Sequence, residues 1–263
     1  MYLSGFQLFF WATAFAAHLL LLAVIWRRGR AASFPVFTGL IAFYIARSVA
    51  LFLIWRFVHQ NTQSNYYYTA LALAIVDEAI QLFVFYELAT HVFCPTGVWA
   101  KDVKRAFVWI VAGSVLLATI LTWLAAPEVK LSVQSLMLRS NFFSSALMSE
   151  LFVGIMWLSA TAGLPWKTHV ARIAQGFGIY SIVSLILETI NNYFGLQNSA
   201  DVYNAANHVR SLVYLGCVGY WIVTLWQEAP APRELPDAML MQIYTLQRRV
   251  EYDLVRIRNW RRS

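Results

Sequence analysis

The sequence is short of charged residues. Only 13% of its 263 residues are Asp, Glu, Lys or Arg, whereas a soluble globular domain usually carries about 25%. Hydrophobic residues make up 60% of the chain and aromatic residues 16%. A soluble domain of this length does not have enough interior to bury that much apolar surface. The composition therefore excludes an ordinary soluble protein and predicts a polytopic membrane protein.

Other absences exclude particular chemistries. The chain has two cysteines, Cys94 and Cys217, too few for a disulfide scaffold. No lysine lies within a long apolar run, which excludes a retinal Schiff base. The sequence contains no phosphate-binding glycine-rich loop, no hydrolase nucleophile motif and no Cys-x-x-Cys pair. Its five histidines are too scattered along the runs to predict haem or zinc. We therefore expect no cofactor, no metal and no enzymatic activity.

Proline is missing from the interior of the long apolar runs. All seven prolines lie at the edges of these runs or beyond the last one, and proline ends helices, so the prolines delimit the spans. The runs lie at residues 5–26, 35–58, 66–92, 106–126, 137–163, 170–194 and 202–226. Each is long enough to cross a bilayer as a helix. The predicted fold class is an all-α integral membrane protein, a seven-transmembrane-helix bundle over residues 1–226.

Basic residues are distributed unequally between the two sides of this bundle. Of the 20 Lys and Arg, 15 lie on one side or in the tail, two lie on the other side, and three lie within the runs. The positive-inside rule then predicts an outside N-terminus and a cytoplasmic C-terminus, in a cytoplasmic (inner) or plasma membrane. This distribution accounts for the net charge of +7, and we expect no nucleic-acid partner.

The part of the chain after the last run has a different composition. Residues 227–236 are rich in proline and predict an extended linker. Residues 237–263 predict an amphipathic, arginine-rich helix. Two interpretations stay open: the helix lies on the anionic lipid surface, or it forms a coiled coil or docking helix. Together with small-residue faces on the spans, it would support a homo-oligomer or contacts with subunits of a membrane complex.

Polar and ionisable side chains inside the spans form the candidate site, because burying them in lipid is costly unless they find partners. Several share one helix face through spacings of three or four residues. This pattern predicts a polar, ligand- or ion-responsive centre between the midplane and the outer surface. The candidate ligand-binding residues are Arg47 in the second span, Asp77, Glu78 and Gln81 in the third, Glu150 in the fifth, Glu188, Asn191 and Asn192 in the sixth, and Asn204, Asn207, His208 and Arg210 in the seventh.

Three functions are compatible with such a centre. The leading hypothesis is a sensor or receptor-like protein that signals or assembles through its C-terminal helix. The first alternative is a non-catalytic structural subunit of a larger membrane complex, in which the polar residues hold helices together. The second alternative is an ion or small-solute carrier. Seven spans are an analogy of architecture and do not decide between these hypotheses.

Overall fold

A computed structural model describes residues 5–57, 62–93, 101–124, 133–161, 169–191 and 200–228. Within these ranges the chain is entirely helical, with no strand. The described helices are α1 (Gly5–Arg27), α2 (Pro35–Phe57), α3 (Thr62–Phe93), α4 (Lys101–Leu124), α5 (Val133–Thr161), α6 (His169–Ile190) and α7 (Ala200–Trp226). The predicted tail helix lies outside the described residues, as do Cys94, Asn192 and all of the predicted linker beyond Glu228.

Among the described helices, six are long and apolar enough to cross a membrane. They are α1, α2, α3, α4, α6 and α7, and they indicate a multi-pass membrane protein. The remaining described helix, α5, carries Arg139, Asn141 and Glu150 as well as several serines.

Five helices pack in a closed ring in the order α1, α2, α3, α6 and α7, with α7 returning to α1. An apolar cluster fills this ring towards the end where α1 and α7 terminate, and Phe37, Phe177 and Trp221 are its large aromatic members. Outside the ring, α5 packs against α3 and α6, and α4 packs against α5. A second apolar cluster joins α3, α4 and α5, where Phe85 stacks on Phe107 with ring centroids 5.8 Å apart.

Two glycines of α6 let neighbouring side chains lie directly against its backbone. Gly176 faces the indole of Trp221 in α7, and Gly178 faces the ring of Phe152 in α5. Close approach of this kind is the usual reason for small residues between membrane helices. At Gly216 and Gly219 of α7, in contrast, an added Cβ would have no atom of the described chain within 4 Å. The lack of a side chain at these two positions therefore does not serve packing within the described bundle.

The turn after α1 has the hydrogen bonds of a Schellman motif. The N–H of Arg30 donates to the carbonyl of Ile25 at 2.9 Å, and the N–H of Gly29 donates to that of Trp26 at 3.0 Å. Gly29 has φ +66°, a conformation that glycine adopts without a Cβ clash. The turn directs the Arg30 side chain to the end of α7, where it donates to the carbonyls of residues 225 and 227 at 3.2 and 2.9 Å.

The beginning of α2 is capped by a carboxylate from α3. The backbone N–H groups of Val36 and Phe37 donate to the two carboxylate oxygens of buried Glu87 at 2.9 and 3.0 Å. The first N–H groups of a helix have no partner within the helix and carry the positive end of its dipole. Glu87 therefore stabilises the start of α2 and fixes α2 against α3.

We expect Glu87→Gln to lower the free energy of unfolding by about 1–2 kcal/mol. The neutral amide can accept only one of the two N–H bonds and presents its own NH2 group to the other. Reversible unfolding in mixed micelles, followed by circular dichroism, measures the loss. Glu228→Gln is the control, because it removes one negative charge at an exposed position. Equal losses in the two variants would contradict the capping role.

Candidate functional site

A polar network crosses the ring near the middle of its helices. Arg47 of α2 and Asp77 of α3 form an ion pair, with Nη1 and Oδ2 2.8 Å apart. Gln81, one turn further along α3, donates to Oδ1 of Asp77 at 2.9 Å and to the hydroxyl of Tyr44 at 3.3 Å. The spacings Tyr44 to Arg47 and Asp77 to Gln81 place each pair on one helix face. The predicted residues Arg47, Asp77 and Gln81 are thus brought together.

Aromatic side chains extend this network to the other helices of the ring. His18 of α1 and Tyr214 of α7 share a hydrogen bond of 2.5 Å between Nε2 and the hydroxyl oxygen. The His18 ring lies 5.4 Å from that of Tyr44, and the Tyr180 ring of α6 lies 5.3 Å from that of Tyr214, between centroids. We call these residues the central network: His18, Tyr44, Arg47, Asp77, Gln81, Tyr180 and Tyr214. All five ring helices contribute to it.

Sequence reasoning missed His18, Tyr180 and Tyr214 as members of the site. It selected ionisable and amide side chains within the spans, and it set the histidines aside as too scattered for haem or zinc. A usable signal was present in the positions of Tyr44, Tyr180 and Tyr214. Each lies near the middle of its helix, where a hydroxyl is far from water and must find its partner inside the protein.

A second ion pair joins α6 and α7. Nη2 of Arg210 lies 2.5 Å from Oε1 of Glu188. Arg210 precedes Tyr214 by one helical turn of α7. The Glu188 side chain is only 2% exposed and that of Arg210 is 20% exposed, compared with 13% for Asp77 and 30% for Arg47. The Glu188–Arg210 pair is therefore the more deeply buried of the two. Removing the Arg210 guanidinium would leave the Glu188 carboxylate buried, without a counter-charge and without contact with solvent.

Buried polar atoms beside this pair lack hydrogen-bond partners. Oε2 of Glu188, Nε of Arg210, and both Oδ1 and Nδ2 of Asn191 are buried and make no hydrogen bond to any described residue. Asn191 is 1% exposed and follows Glu188 by three residues, so the two share a face of the chain. Buried polar groups in proteins are nearly always hydrogen-bonded. The described residues therefore leave the hydrogen-bonding groups of Asn191, and one atom each of Glu188 and Arg210, without partners.

The two other predicted acids do not join either ion pair. Glu78 points towards α5, where the hydroxyl of Ser144 lies within hydrogen-bonding reach of its carboxylate. Both carboxylate oxygens of Glu150 are buried without a hydrogen bond to any described residue. The sequence predicted that four acids and two bases share one centre. In the structure, Asp77 pairs with Arg47 and Glu188 pairs with Arg210. The other two acids, described above, lie apart from both pairs.

The polar face predicted on α7 does not converge on the site. Asn204 is exposed, while Asn207 and His208 are half-buried. The imidazole of His208 stacks on Phe10 of α1 with ring centroids 6.3 Å apart. Of the four residues predicted in this span, Arg210 alone makes an ion pair with Glu188 in the described structure.

Within the described ranges, no group of three or more His, Cys, Asp or Glu side chains has a geometry that could hold a metal ion. Cys217 is a free, buried thiol. The site therefore consists of hydrogen-bond donors and acceptors, aromatic rings and two ion pairs. Such an arrangement can bind and orient a polar molecule, or exchange a proton.

Comparisons of the chain with protein-family models, with curated proteins and with solved structures found no match. The class that the fold and the site define is a multi-pass helical membrane protein with polar groups enclosed by its helices. Its function has to be argued from these groups.

Proposed function

We propose that the chain is a non-enzymatic, seven-helix membrane sensor or receptor that binds a polar ligand or ion beside the Glu188–Arg210 pair. The observation that carries the proposal is the set of buried polar atoms of Asn191, Glu188 and Arg210 without partners among the described residues. A ligand that both donates and accepts hydrogen bonds would satisfy them. Its membrane would be the cytoplasmic (inner) or plasma membrane.

In this proposal α5 is the seventh span. It has 29 residues, or roughly 44 Å at a rise of about 1.5 Å per residue. Its polar groups are partly covered by protein: Ser149 and both carboxylate oxygens of Glu150 are buried. A helix can cross a membrane with such groups when they face other helices. Seven spans place the termini on opposite sides, in agreement with an outside N-terminus and a cytoplasmic C-terminus under the positive-inside rule.

The position of the apolar cluster favours a receptor over a carrier. Phe37 packs edge to face against both Phe177 and Trp221, and Phe177 and Trp221 pack in a tilted arrangement. These three side chains lie inside the ring of helices, between the central network and the end where α7 terminates. Polar groups therefore occupy one part of the ring and closely packed aromatic side chains occupy the other. A binding site closed on one side is expected of a receptor, whereas a carrier must open alternately to both sides.

The unpartnered atoms also favour a receptor over a purely structural subunit. Helix association explains paired groups such as Arg47 and Asp77. It does not explain Asn191. The buried amide of this residue makes no hydrogen bond to another described helix, and burying it without a partner lowers the stability of the fold. A signal would leave through α7, whose end leads into the linker at 227–236 and the tail at 237–263. We propose that this tail binds another copy of the chain or a subunit of a membrane complex.

The test compares Asn191→Leu with Asn204→Leu, which makes the same change at an exposed position of α7. The full chain in lipid nanodiscs is screened by thermal shift against free amino acids, amines and sugars. We expect at least one solute to raise the melting temperature of the wild type and of Asn204→Leu. Its apparent affinity should fall about tenfold in Asn191→Leu, because a hydrogen bond to a buried ligand is worth roughly this factor. Binding should also change the rate of tryptic cleavage in the arginine-rich tail.

Two results would favour the other hypotheses. Uptake of the solute into proteoliposomes that depends on Asp77 would indicate a carrier. Purification with a partner of fixed stoichiometry, together with no response to any solute, would indicate a structural subunit of a larger complex.

A further inference from the structure

A buried histidine without a partner lies at the other end of the bundle, away from the central network. His169 is the first residue of α6 and is 5% exposed. Both of its ring nitrogens are buried and make no hydrogen bond to any described residue. An imidazole carries at least one N–H donor in either protonation state, and burying that donor unpaired is unfavourable. Its position therefore points to a molecule that accepts hydrogen bonds.

Among the described residues, two arginines act electrostatically on the His169 ring. They are Arg30, from the turn after α1, and Arg172, from the first turn of α6. Their hydrogen bonds to the end of α7 use Nε and Nη2 of Arg30 and Nη1 of Arg172. The carboxylate of exposed Glu228 interacts electrostatically with Arg30. Among the described residues, no acidic group has such an interaction with the His169 ring.

The start of α6 adds a third source of positive potential. This helix has 22 residues, and its aligned peptide groups place a partial positive charge at its start, which favours a bound anion. The buried imidazole, the two guanidinium groups and the helix start therefore all favour the same kind of ligand, an anion with several acceptor oxygens.

The level of the site in the membrane indicates which anion. Trp226 at the end of α7 is 45% exposed, and the Arg28 guanidinium lies 4.5 Å from the centre of its ring. Trp26 at the end of α1 is exposed as well. Tryptophans and arginines in such positions lie at the level of lipid headgroups. The anion most abundant at that level is the phosphate of a phospholipid.

We propose that His169, Arg30 and Arg172 form a binding site for a phosphate group at the end of the bundle where α6 begins. The headgroup of an anionic phospholipid would supply this group, and free inorganic phosphate offers the same chemistry. The phosphate oxygens accept hydrogen bonds from the imidazole and the guanidinium groups. A bound phosphate links α6, the turn after α1 and the end of α7. This site is separate from the Glu188–Arg210 pair and does not depend on the function proposed above.

The experiment measures the melting temperature of the full chain in neutral detergent micelles. Dioleoyl phosphatidic acid, dioleoyl phosphatidylglycerol and dioleoyl phosphatidylcholine are titrated separately, and inorganic phosphate is titrated against chloride at equal ionic strength. We expect the two anionic lipids to stabilise the wild type more than phosphatidylcholine does. A shift with inorganic phosphate as well identifies the free anion as a ligand, whereas a shift with lipid alone identifies the headgroup. Either result supports the site.

His169→Phe is the test variant, and Arg27→Gln is its control. Phenylalanine keeps a ring of similar size and removes both unpartnered nitrogens, so without lipid this variant should melt no lower than the wild type. Its apparent affinity for the anionic lipid should fall about tenfold or more, the effect of a lost charge-assisted hydrogen bond. Arg27 is exposed at the same end, so Arg27→Gln removes a charge and should keep the affinity.

Arg172→Gln provides a second variant in case His169→Phe does not fold, and its affinity should also fall about tenfold. The proposal is overturned if no probe containing phosphate stabilises the wild type. It is also overturned if the variants at positions 169 and 172 keep the affinity of the wild type. An equal loss of affinity in Arg27→Gln would overturn it too, because that result indicates attraction to the whole basic end and no defined site.

Discussion

Arg210→Met is expected to lower the free energy of unfolding by about 3–5 kcal/mol, the cost of breaking a buried ion pair by removing one partner. The Glu188 side chain is 2% exposed, so its carboxylate has no access to solvent when the guanidinium is gone. Methionine has a similar length and keeps the packing of the arginine stem. The loss then reports the uncompensated charge and not a cavity.

A double-mutant cycle separates this charge from the rest of the site. Adding Glu188→Gln to Arg210→Met removes the unpaired charge, so the double variant should recover most of the stability. Reversible unfolding in mixed micelles measures all the free energies of the cycle. Arg47→Met is the matched control at the other ion pair, where both partners are more exposed and Asp77 keeps its hydrogen bond from Gln81. A loss in Arg47→Met as large as in Arg210→Met would contradict the argument from burial.

Gly176→Ala is expected to cost about 3 kcal/mol, at the upper end of what one extra methyl group costs in a packed core. The added Cβ would overlap the indole of Trp221. That indole has no room to move, because its Nε1 donates to the carbonyl of Ile173 at 3.3 Å and its ring packs on Phe37 and Phe177 at centroid distances of 5.4 and 4.8 Å. The backbone of α6 and α7 must therefore separate.

Gly216→Ala is the control for this prediction. Within the described part of the chain no atom lies within 4 Å of the Cβ position at Gly216, so the same change should be neutral or stabilising by up to about 1 kcal/mol through helix propensity. Both variants are measured by reversible unfolding, and near-ultraviolet circular dichroism reports the environment of Trp221. Similar free-energy changes in Gly176→Ala and Gly216→Ala would show that contact with Trp221 is not what restricts position 176.

The positions of the helices could be predicted from sequence because they depend on local properties. An apolar run long enough for a bilayer has to be helical there, and prolines such as Pro35 mark where the run begins. The six helices apolar enough to span were all predicted, within about five residues at each end of those described. The run that became α5 was also predicted as a helix. Its membrane crossing is part of the proposal above, argued from its length and from the burial of Ser149 and Glu150.

The partners within the site could not be predicted in the same way. Spacing along α3 placed Asp77 and Gln81 on one face, and they do form a hydrogen bond. Which acid pairs with which base depends on the order of helices around the ring and on the rotation of each. Both are set by packing, such as Gly176 against Trp221, and no local pattern encodes them. His208 illustrates this: its spacing suggested the site, and the rotation of α7 places it on Phe10 of α1.

The position of α5 has a consequence for how the protein is made. This helix packs against α3 and α4, both of which precede it in the chain, and against α6, which follows directly. During synthesis its first two neighbours are thus already in the bilayer when α5 leaves the ribosome, and they can cover its serines and Glu150 as it enters. In the proposed topology the order of the helices along the chain therefore provides partners for these groups as α5 enters the membrane, and a permuted chain beginning with α5 would offer the same groups to lipid alone.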